Sequence, residues 1–305
     1  MKKLKPVLWI IMLGLLLAGC SNDGKEEYFT DAKKAKFDHV HGIGYPGNTE
    51  SLLVATHEGL FKYENGSWKR NTKNQHDYMG FQATKEGFYA SGHPETGSDL
   101  NNPLGLVKSI DEGKRLKKLA FYGETDFHYL AASYQKGTVY VINEEPNSKL
   151  QTGLYYTKNE GKDWHPSKLE GLNSSSVGGM NVHPTKDNII ALYAKEGIFL
   201  SYNYGNTVEL IPIDGIITSL VFKETSAMYS KMKNNKLSLY ELDLNTKKEK
   251  MLNGLSLDPE NPITFIAINP LNESEIAVVT SKNDIFLTKD NGENWKKIAE
   301  EGETK

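Results

Sequence analysis

The chain has 305 residues, and its 36 Lys and Arg nearly balance its 39 Asp and Glu, which leaves a formal net charge of -3. This small charge, without a long basic run, argues against a surface for nucleic acid or for anionic lipid. The only cysteine is Cys20, so the chain beyond it has no disulfide, no thiolate metal site and no cysteine nucleophile.

The first 20 residues resemble the signal of a bacterial lipoprotein. Three lysines within residues 1–5 precede an uncharged apolar stretch over residues 6–17, which is typical of a secretory signal and shorter than the roughly 20 residues that span a membrane. The stretch leads into Leu-Ala-Gly-Cys at Cys20, which is similar to a lipobox, where the cysteine is lipidated and the chain is cut before it. The resemblance implies a signal peptide over residues 1–19 and a lipid anchor that holds the protein at the cell membrane, facing outside the cytoplasm. The alternative is an ordinary secretory signal with a chance cysteine.

A polar, charge-rich segment follows the signal. Its composition predicts that residues 20–36, beginning with the lipidated cysteine, are a flexible tether. Residues 37–305 are then the folded part, which is long enough for one large domain or two small ones.

A repeat runs through the folded part. Four segments share the pattern Ser/Thr-x-Asp/Asn-x-Gly, and they begin at Ser109, Thr157, Ser201 and Thr288. Two of them continue to a tryptophan, Trp164 and Trp295. The pattern resembles the Asp-box, or BNR repeat, of sialidases, sortilin-type receptors and other bladed proteins. The first three copies start about 44 to 48 residues apart and the last gap is about twice as long, which fits one propeller blade per repeat.

Two further repeats complete the series. A degenerate copy is predicted near residue 244, and a shortened copy is predicted over residues 61–68, so the six starts lie near 63, 109, 157, 201, 244 and 288. Short alternating strands separated by turn residues recur in each unit, and no sustained apolar stripe of helical period follows the signal. The sequence therefore predicts an all-β, six-bladed β-propeller of the Asp-box and sialidase type, with very little helix.

The box itself is interpreted as scaffold. Its Asp or Asn oxygen can bind turn amides, its Gly allows positive φ, and its Trp covers the blade edge. A sialidase binds its substrate carboxylate with three arginines, because a guanidinium gives fixed bidentate hydrogen bonds. This chain has only Arg70 and Arg115, so a three-arginine sialidase is excluded. Another glycoside hydrolase would need two carboxylates across a cleft.

The first half of the chain is rich in histidine. Six of the eight histidines lie there, although a blade does not require them: His39, His41, His57, His76, His93 and His128. Strand alternation predicts that His39 and His41 share one face of an inner strand. The sequence predicts a ligand-binding site near one rim of blades one to three, formed by His39, His41, His57, Asp77, Met79, His93, Asp126 and His128. His76, in a polar loop, is expected to be solvated.

The sequence is compatible with two interpretations of this site. Four of the histidines, with Met79 and Asp77 or Asp126 nearby, are candidate ligands for a transition metal, namely His41, His57, His93 and His128. Imidazole with thioether favours copper, and imidazole with carboxylate favours zinc. The other interpretation is that these side chains are hydrogen-bonded partners in a wet central channel.

The phrases at residues 55–61 and 102–106 resemble a bacterial family of sortilin-like Asp-box proteins that is often labelled glycosyl hydrolase. That label follows the fold, and a fold does not establish a reaction. The sequence therefore predicts a non-enzymatic cell-surface lipoprotein, monomeric, whose propeller binds a protein or glycan ligand at the His-rich rim. A glycoside hydrolase and an extracytoplasmic metal-binding lipoprotein are the alternatives.

Overall fold

The computed structural model describes residues 27–305 and is all-β. The predictions for the signal peptide and for Cys20 lie outside the described residues. Blade one contains β1 (Phe29–Asp31), β2 (Val40–Gly44), β3 (Leu52–Thr56), β4 (Gly59–Glu64) and β5 (Ser67–Asn71); blade two contains β6 (Asp77–Thr84), β7 (Gly87–His93), β8 (Leu106–Ser109) and β9 (Lys117–Ala120); blade three contains β10 (Tyr129–Ala132), β11 (Val139–Asn143), β12 (Gly153–Thr157) and β13 (His165–Ser167).

Blades four to six repeat the same order of strands. Blade four contains β14 (Gly179–Val182), β15 (Ile190–Ala194), β16 (Gly197–Ser201) and β17 (Glu209–Pro212); blade five contains β18 (Ile216–Phe222), β19 (Ser226–Lys233), β20 (Lys236–Asp243) and β21 (Glu249–Leu252); blade six contains β22 (Ile263–Asn269), β23 (Asn272–Thr280), β24 (Ile285–Thr288), β25 (Lys296–Glu300) and β26 (Glu303–Thr304). Among residues 27–305 there is no helix, and hence none with the length and hydrophobicity that a membrane crossing needs. The predicted six-bladed propeller is confirmed.

The blades close into a ring. The inner strands β2, β6, β10, β14, β18 and β22 pack side by side in that order, and β22 lies against β2. The backbone around Ala35 and Thr304 completes the circle, because Thr304 N donates to Ala35 O and Ala35 N donates to Thr304 Oγ1, both at 3.0 Å. Each pair of neighbouring blades shares an apolar cluster; Leu53 of blade one and Phe88 of blade two lie in the same one. Packing between blades therefore stabilises a fold that has no disulfide.

The folded part begins earlier than the predicted boundary at residue 37. β1 pairs with the outermost strand of blade one, Phe29 opposite Asn71, and Ala32 is buried against the ring. Part of the predicted tether is thus a fifth strand. The reason is that Phe29 and Ala32 are apolar residues within a segment whose average composition is polar.

The four repeated segments form the same turn between the third and fourth strands of their blades. In each, the Ser or Thr hydroxyl accepts a hydrogen bond from the Gly backbone N–H four residues later, at 2.8 to 3.0 Å. The Asp or Asn side chain accepts from the backbone N–H four residues after it, at 2.9 to 3.0 Å. The indoles of Trp164 and Trp295 each donate to the Gly carbonyl at 3.0 Å. The motif therefore organises turns far from the inner strands.

The other two predicted copies have different structures. The segment near residue 63 is a two-residue hairpin, in which Asn65 and Gly66 have positive φ of 51° and 82° and join β4 to β5. Trp68 does not cover a blade edge; it is buried between blades one and six and donates to Ile298 O at 2.8 Å. Near residue 244, Asp243 Oδ1 accepts from the N–H groups of Asn245 and Thr246. The repeat spacing predicted the positions of both blades, although neither turn has the hydrogen bonds of the four repeated segments.

Candidate functional site

One end of the propeller carries the predicted site residues, and we call this end the His-rich rim. It is the end at which the inner strands β2, β6 and β10 begin and the second strands β3, β7 and β11 end. His41 lies at the start of β2, and Asp77 begins β6. His57 and His93 lie at the ends of β3 and β7, and the segment 126–128 leads into β10. Adjacent strand ends therefore bring side chains from three blades together.

Three of these side chains form a first group. His41 Nε2 lies 3.6 Å from Asp77 Oδ1, and His57 Nε2 lies 4.0 Å from Asp77 Oδ2. The ligand atoms of all three residues lie within 4.8 Å of one another. The rings of His41 and His57 are 4.5 Å apart, and the exposed His39 ring lies 5.0 Å from His57. His39 is thus an exposed neighbour of the His57 ring.

A second group surrounds Asp126. His93 Nε2 and His128 Nε2 lie 3.2 Å and 3.4 Å from the same oxygen, Asp126 Oδ2. The far side of the His93 ring is held by Asn102, whose Oδ1 lies 2.6 Å from Nδ1. The far side of the His128 ring faces Glu144 Oε2 at 3.3 Å. The His93 ring is therefore oriented by its hydrogen bond with Asn102, whereas the His128 ring has a carboxylate near each of its two nitrogens.

Three buried atoms at the rim have no hydrogen-bond partner within residues 27–305: His41 Nε2, Asp77 Oδ1 and Asp126 Oδ2. Their contacts with neighbouring side chains are too long or too poorly aligned for hydrogen bonds. Leaving a buried polar atom unpaired costs about 1–3 kcal/mol, and more for a charged group. The rim therefore holds unsatisfied nitrogen and oxygen atoms that face one another.

Burial changes the ionisation of the first group. It lowers the pKa of His41 to about 4, and the nearby rings of His57, His39 and His128 lower it further. Burial also raises the pKa of Asp77, as does the charge of Asp126, although His57 and His93 oppose this. At neutral pH, His41 is therefore a neutral imidazole with a free lone pair, which is the form that binds a metal.

His76 was expected to be solvated, but only 2% of it is exposed, and its Nδ1 accepts from Glu95 N at 3.0 Å. The loop folds inward because this bond satisfies the buried ring. Met79 lies on β6 within an irregularity in pairing between Asp77 and Gly80, which breaks the strand alternation. Its role as a ligand stays a prediction.

The sequence did not indicate Asn102 or Glu144 as site residues. Glu144 directly follows β11, just as His57 follows β3 and His93 ends β7. An alignment of the second strands of the three blades would therefore have indicated Glu144 as a rim residue. Asn102 lies in the insertion 94–103, and nothing in the local sequence indicates that this loop folds back to reach the ring of His93.

The rim opens onto the central channel. A cavity of about 530 Å³ is lined by residues of all six inner strands, and His41 and His128 are among them. The two arginines lie outside this space: Arg115 is on a box turn, where it pairs with Asp111 and is 83% exposed, and Arg70 is exposed on β5. The site thus offers imidazole and carboxylate groups, with no guanidinium for a substrate carboxylate.

The sequence matches no protein-family model, and no curated protein matches it. The fold is similar to that of the GH74 enzyme of Niastella koreensis, with a TM-score of 0.58 and 14% identity over 89% of this chain and 47% of that enzyme. For the GH74 xyloglucanase of Xanthomonas campestris, the TM-score is 0.56, with 11% identity over 88% and 46% of the two chains. For YCF48 bound to D1 peptide, it is 0.51, with 12% identity over 90% and 85%. This chain spans about half the length of the two GH74 enzymes, and at these identities the likeness concerns the fold alone.

Proposed function

We propose that this protein is a non-enzymatic, lipid-anchored propeller on the outside of the cell membrane, and that it binds a transition metal ion at its His-rich rim. The ion's ligands are His41 Nε2, His57 Nε2 and one oxygen of Asp77. Because sulfur is absent from this set, zinc is the metal that it favours, and copper(II) is the second choice.

The observation that supports this proposal is the pair of unsatisfied atoms in the first group. His41 Nε2 and Asp77 Oδ1 are buried and lie 3.6 Å apart, without a hydrogen bond. Two ligands of a tetrahedral zinc ion, each about 2.0–2.1 Å from the metal, lie about 3.3–3.4 Å apart and point at the ion rather than at each other. Both the separation and the poor hydrogen-bond geometry fit a shared ion.

The neutral state of His41 supports the same assignment. A metal ligand must have lost its proton, and the low pKa of His41 means that no proton has to be displaced at neutral pH. Asp77 supplies the negative charge that offsets part of the ion's charge. Three protein ligands leave a fourth position for water or for an incoming ligand, as in open zinc sites.

The test is a zinc titration by isothermal calorimetry. A soluble form that begins at residue 21 keeps all six blades and the ring closure, because the strands start at Phe29. We expect tight binding by this protein and a loss of about 100-fold in affinity for His41→Ala and His57→Ala. The matched control is His165→Ala, an exposed histidine on β13 that lies outside the rim. Equal affinity in all four proteins would refute the proposal.

The membrane location is tested separately. We expect the mature N-terminus to be a lipidated Cys20, identified by mass spectrometry of the membrane fraction. Cys20→Ala should release the protein from that fraction without changing its zinc affinity. An unmodified Cys20 in a membrane-free protein would contradict the anchor and leave the metal site unaffected.

A glycoside hydrolase is the second candidate, favoured by one observation. Asp77 has a raised pKa, and the charge of Asp126 contributes to it. The two carboxyl groups therefore lie close enough to influence each other, and glycosidases use a pair of carboxyl groups at the scissile bond. The GH74 neighbours suggest xyloglucan as the first substrate to try. Turnover by the metal-free protein that Asp77→Asn abolishes would replace our proposal with this one.

A further inference from the structure

We propose that the central channel of the propeller binds an uncharged sugar about the size of a disaccharide. The side chains that would contact it include Tyr193, Asn181 and Gln82, and none of these is a ligand in the proposed zinc site. The sugar site is therefore separate from the zinc site, and each can be tested without the other.

The middle of the channel carries no charged side chain. The cavity of about 530 Å³ has the volume of a small-molecule site, for which about 300–1,000 Å³ is typical. Its histidine, lysine and glutamate side chains lie at the two ends: His41 and His128 at the His-rich rim, and Lys223, Glu224 and Glu273 near the hairpins at the opposite end. A charged ligand in the middle would lose its hydration without gaining a partner of opposite charge. The channel therefore favours a neutral ligand.

Tyr193 brings a hydroxyl group into the channel from the second strand of blade four. It lies opposite Gly179 in the pairing of β14 with β15, and a Cβ atom at Gly179 would lie 2.3 Å from the Tyr193 hydroxyl oxygen. Because Gly179 has no side chain, the tyrosine ring can lie across the inner strand and line the channel.

The Tyr193 hydroxyl is free to bind a ligand. Only 9% of the residue is exposed, and the hydroxyl has no hydrogen-bond partner among residues 27–305. It is not one of the fully buried unpaired atoms, so it faces the open space of the channel. Burial raises the pKa of Tyr193 to about 12, and the hydroxyl therefore keeps its proton at neutral pH and can donate a hydrogen bond.

Amide groups supply further hydrogen bonds. Asn181 Oδ1 accepts from Phe222 N at 3.1 Å, which fixes the side chain and leaves its N–H₂ group without a partner in the described part of the chain. Gln82 on β6 also lines the channel. Amides and tyrosine hydroxyls can both donate and accept, as the hydroxyl groups of a sugar do.

Aromatic rings line the same space, and Tyr193, Tyr129 and Phe265 supply them. A sugar ring has apolar C–H groups on its faces and hydroxyl groups around its edge, so it matches a wall of aromatic rings and neutral polar groups. A peptide fits less well. The six blades form a closed ring, so a peptide can pass through only end first, and its ends are charged.

The competing explanation is that the channel holds only water, which can satisfy the same hydroxyl and amide groups. Water alone does not explain Gly179, because glycine within a strand is less stable than alanine. Here the glycine admits a tyrosine hydroxyl to the channel, which is a reason for its presence if that hydroxyl binds a ligand.

The test is calorimetric titration of the soluble form beginning at residue 21 with cellobiose, maltose and N,N′-diacetylchitobiose. Each titration is made in EDTA and again with saturating zinc. We expect at least one of the three disaccharides to bind with a dissociation constant below about 1 mM in both conditions. Glucuronic acid, which is charged, should bind at least about 10-fold more weakly than that disaccharide.

Two substitutions test the contacts. Tyr193→Phe removes only the hydroxyl and should weaken sugar binding about 10-fold. Asn181→Asp keeps the acceptor for Phe222 N but replaces the N–H₂ group with an oxygen, and should weaken binding by at least as much. The matched control is Tyr202→Phe on an exposed box turn, which should bind like the unmodified protein. Equal urea midpoints for Tyr193→Phe and the unmodified protein would confirm that the hydroxyl has no structural role.

The outcomes distinguish the sugar site from the zinc site. Sugar binding in EDTA by a protein that binds no zinc would support the channel site and overturn the proposed function, and zinc binding without sugar binding would do the reverse. The same sugar affinity in Tyr193→Phe, Asn181→Asp and the unmodified protein would overturn the channel site. Binding of an end-blocked trialanine peptide in place of all three disaccharides would also overturn it and assign the channel to a peptide.

Discussion

At the His-rich rim, the inner strands of blades one to three begin around His41, Asp77 and His128, whereas those of blades four to six begin with Gly179, Ile216 and Ile263. The second strands differ in the same way. In blades one to three they end in or lead into His57, His93 and Glu144, whereas in blades four to six they end in Ala194, Lys233 and Thr280. The two halves of the ring have the same arrangement of strands but different side chains at the His-rich rim.

The interiors of the two halves do not differ in this way. Each half is packed with buried apolar side chains, such as Phe88 in blade two and Phe199 in blade four, and neither is exposed. Blades four to six therefore have the same sheet order as blades two and three without histidines at the rim. Side chains that the fold does not need, and that include unsatisfied buried atoms, point to a role in binding.

Blades four to six have no histidine at the His-rich rim, and we call them the scaffold half. The largest effect of a substitution on stability is expected there. Phe199→Ala on β16 removes a fully buried ring and should lower the free energy of unfolding by about 3–5 kcal/mol. Urea denaturation measures this change. Zinc affinity of the folded protein should stay unchanged, because blade four contributes no ligand. A parallel loss of zinc affinity would show that the two halves are not independent.

A substitution at the rim should instead lower the zinc affinity and leave the stability of the metal-free protein unchanged. Asp77→Asn removes a ligand charge and should weaken zinc binding about 100-fold, or about 2.8 kcal/mol. The stability of the metal-free protein should not fall, because Asp77 Oδ1 has no hydrogen-bond partner to lose among the described residues. Calorimetry and urea denaturation measure the two quantities, with the exposed Asp38→Asn as the matched control. Strong destabilisation by Asp77→Asn would assign the residue to the scaffold.

The box turns should affect stability alone. Thr288→Val keeps the shape of the side chain but removes the acceptor of the buried Gly292 N–H, and should cost about 1–3 kcal/mol. Thermal denaturation measures this loss, and zinc stoichiometry should not change. Unchanged stability would show that the turn finds another acceptor.

The smallest effect concerns His183, a histidine of the scaffold half. Burial lowers its pKa, and its Nδ1 accepts from Thr185 N and Lys186 N, both at 3.2 Å. Below about pH 6.5, the unfolded chain takes up a proton at this residue and the folded chain does not, so the free energy of unfolding falls as the pH decreases. His183→Asn keeps an acceptor and should make this fall less steep, whereas His165→Asn should not. Equal slopes in urea denaturation would contradict a structural role for the ring.

Much of the fold followed from the repeat. Four turns with the pattern Ser/Thr-x-Asp/Asn-x-Gly and their spacing were sufficient to predict six blades, because each turn occupies the same place in its blade. Local chemistry was less predictable. The segment around Trp68 resembles a box in composition, but the dipeptide Asn65-Gly66 favours a two-residue hairpin, and this preference determines the structure.

The convergence of the rim residues also followed from strand order. Their division into two groups could not be predicted, because it depends on which oxygen of Asp77 or Asp126 each ring faces. The same holds for Asn102, whose contact with His93 depends on the path of a ten-residue insertion. Side-chain rotamers and loop paths are set by packing that a single sequence does not display.

The pairing of Phe29 with Asn71 determines where the chain leaves the ring. Thr72 N donates to Tyr28 O, so the departing chain runs beside the loop that leads into Asp77. If Cys20 carries lipid as proposed, only six residues, 21–26, separate it from the part of the chain that the structure describes. At no more than about 3.5 Å per residue, they span little more than about 20 Å. The propeller would then lie close to the lipid headgroups, attached through blade one. Ions would reach the rim through a narrow layer of water at the membrane surface. In that layer the charge of the surface, rather than the bulk medium, sets the concentration of ions.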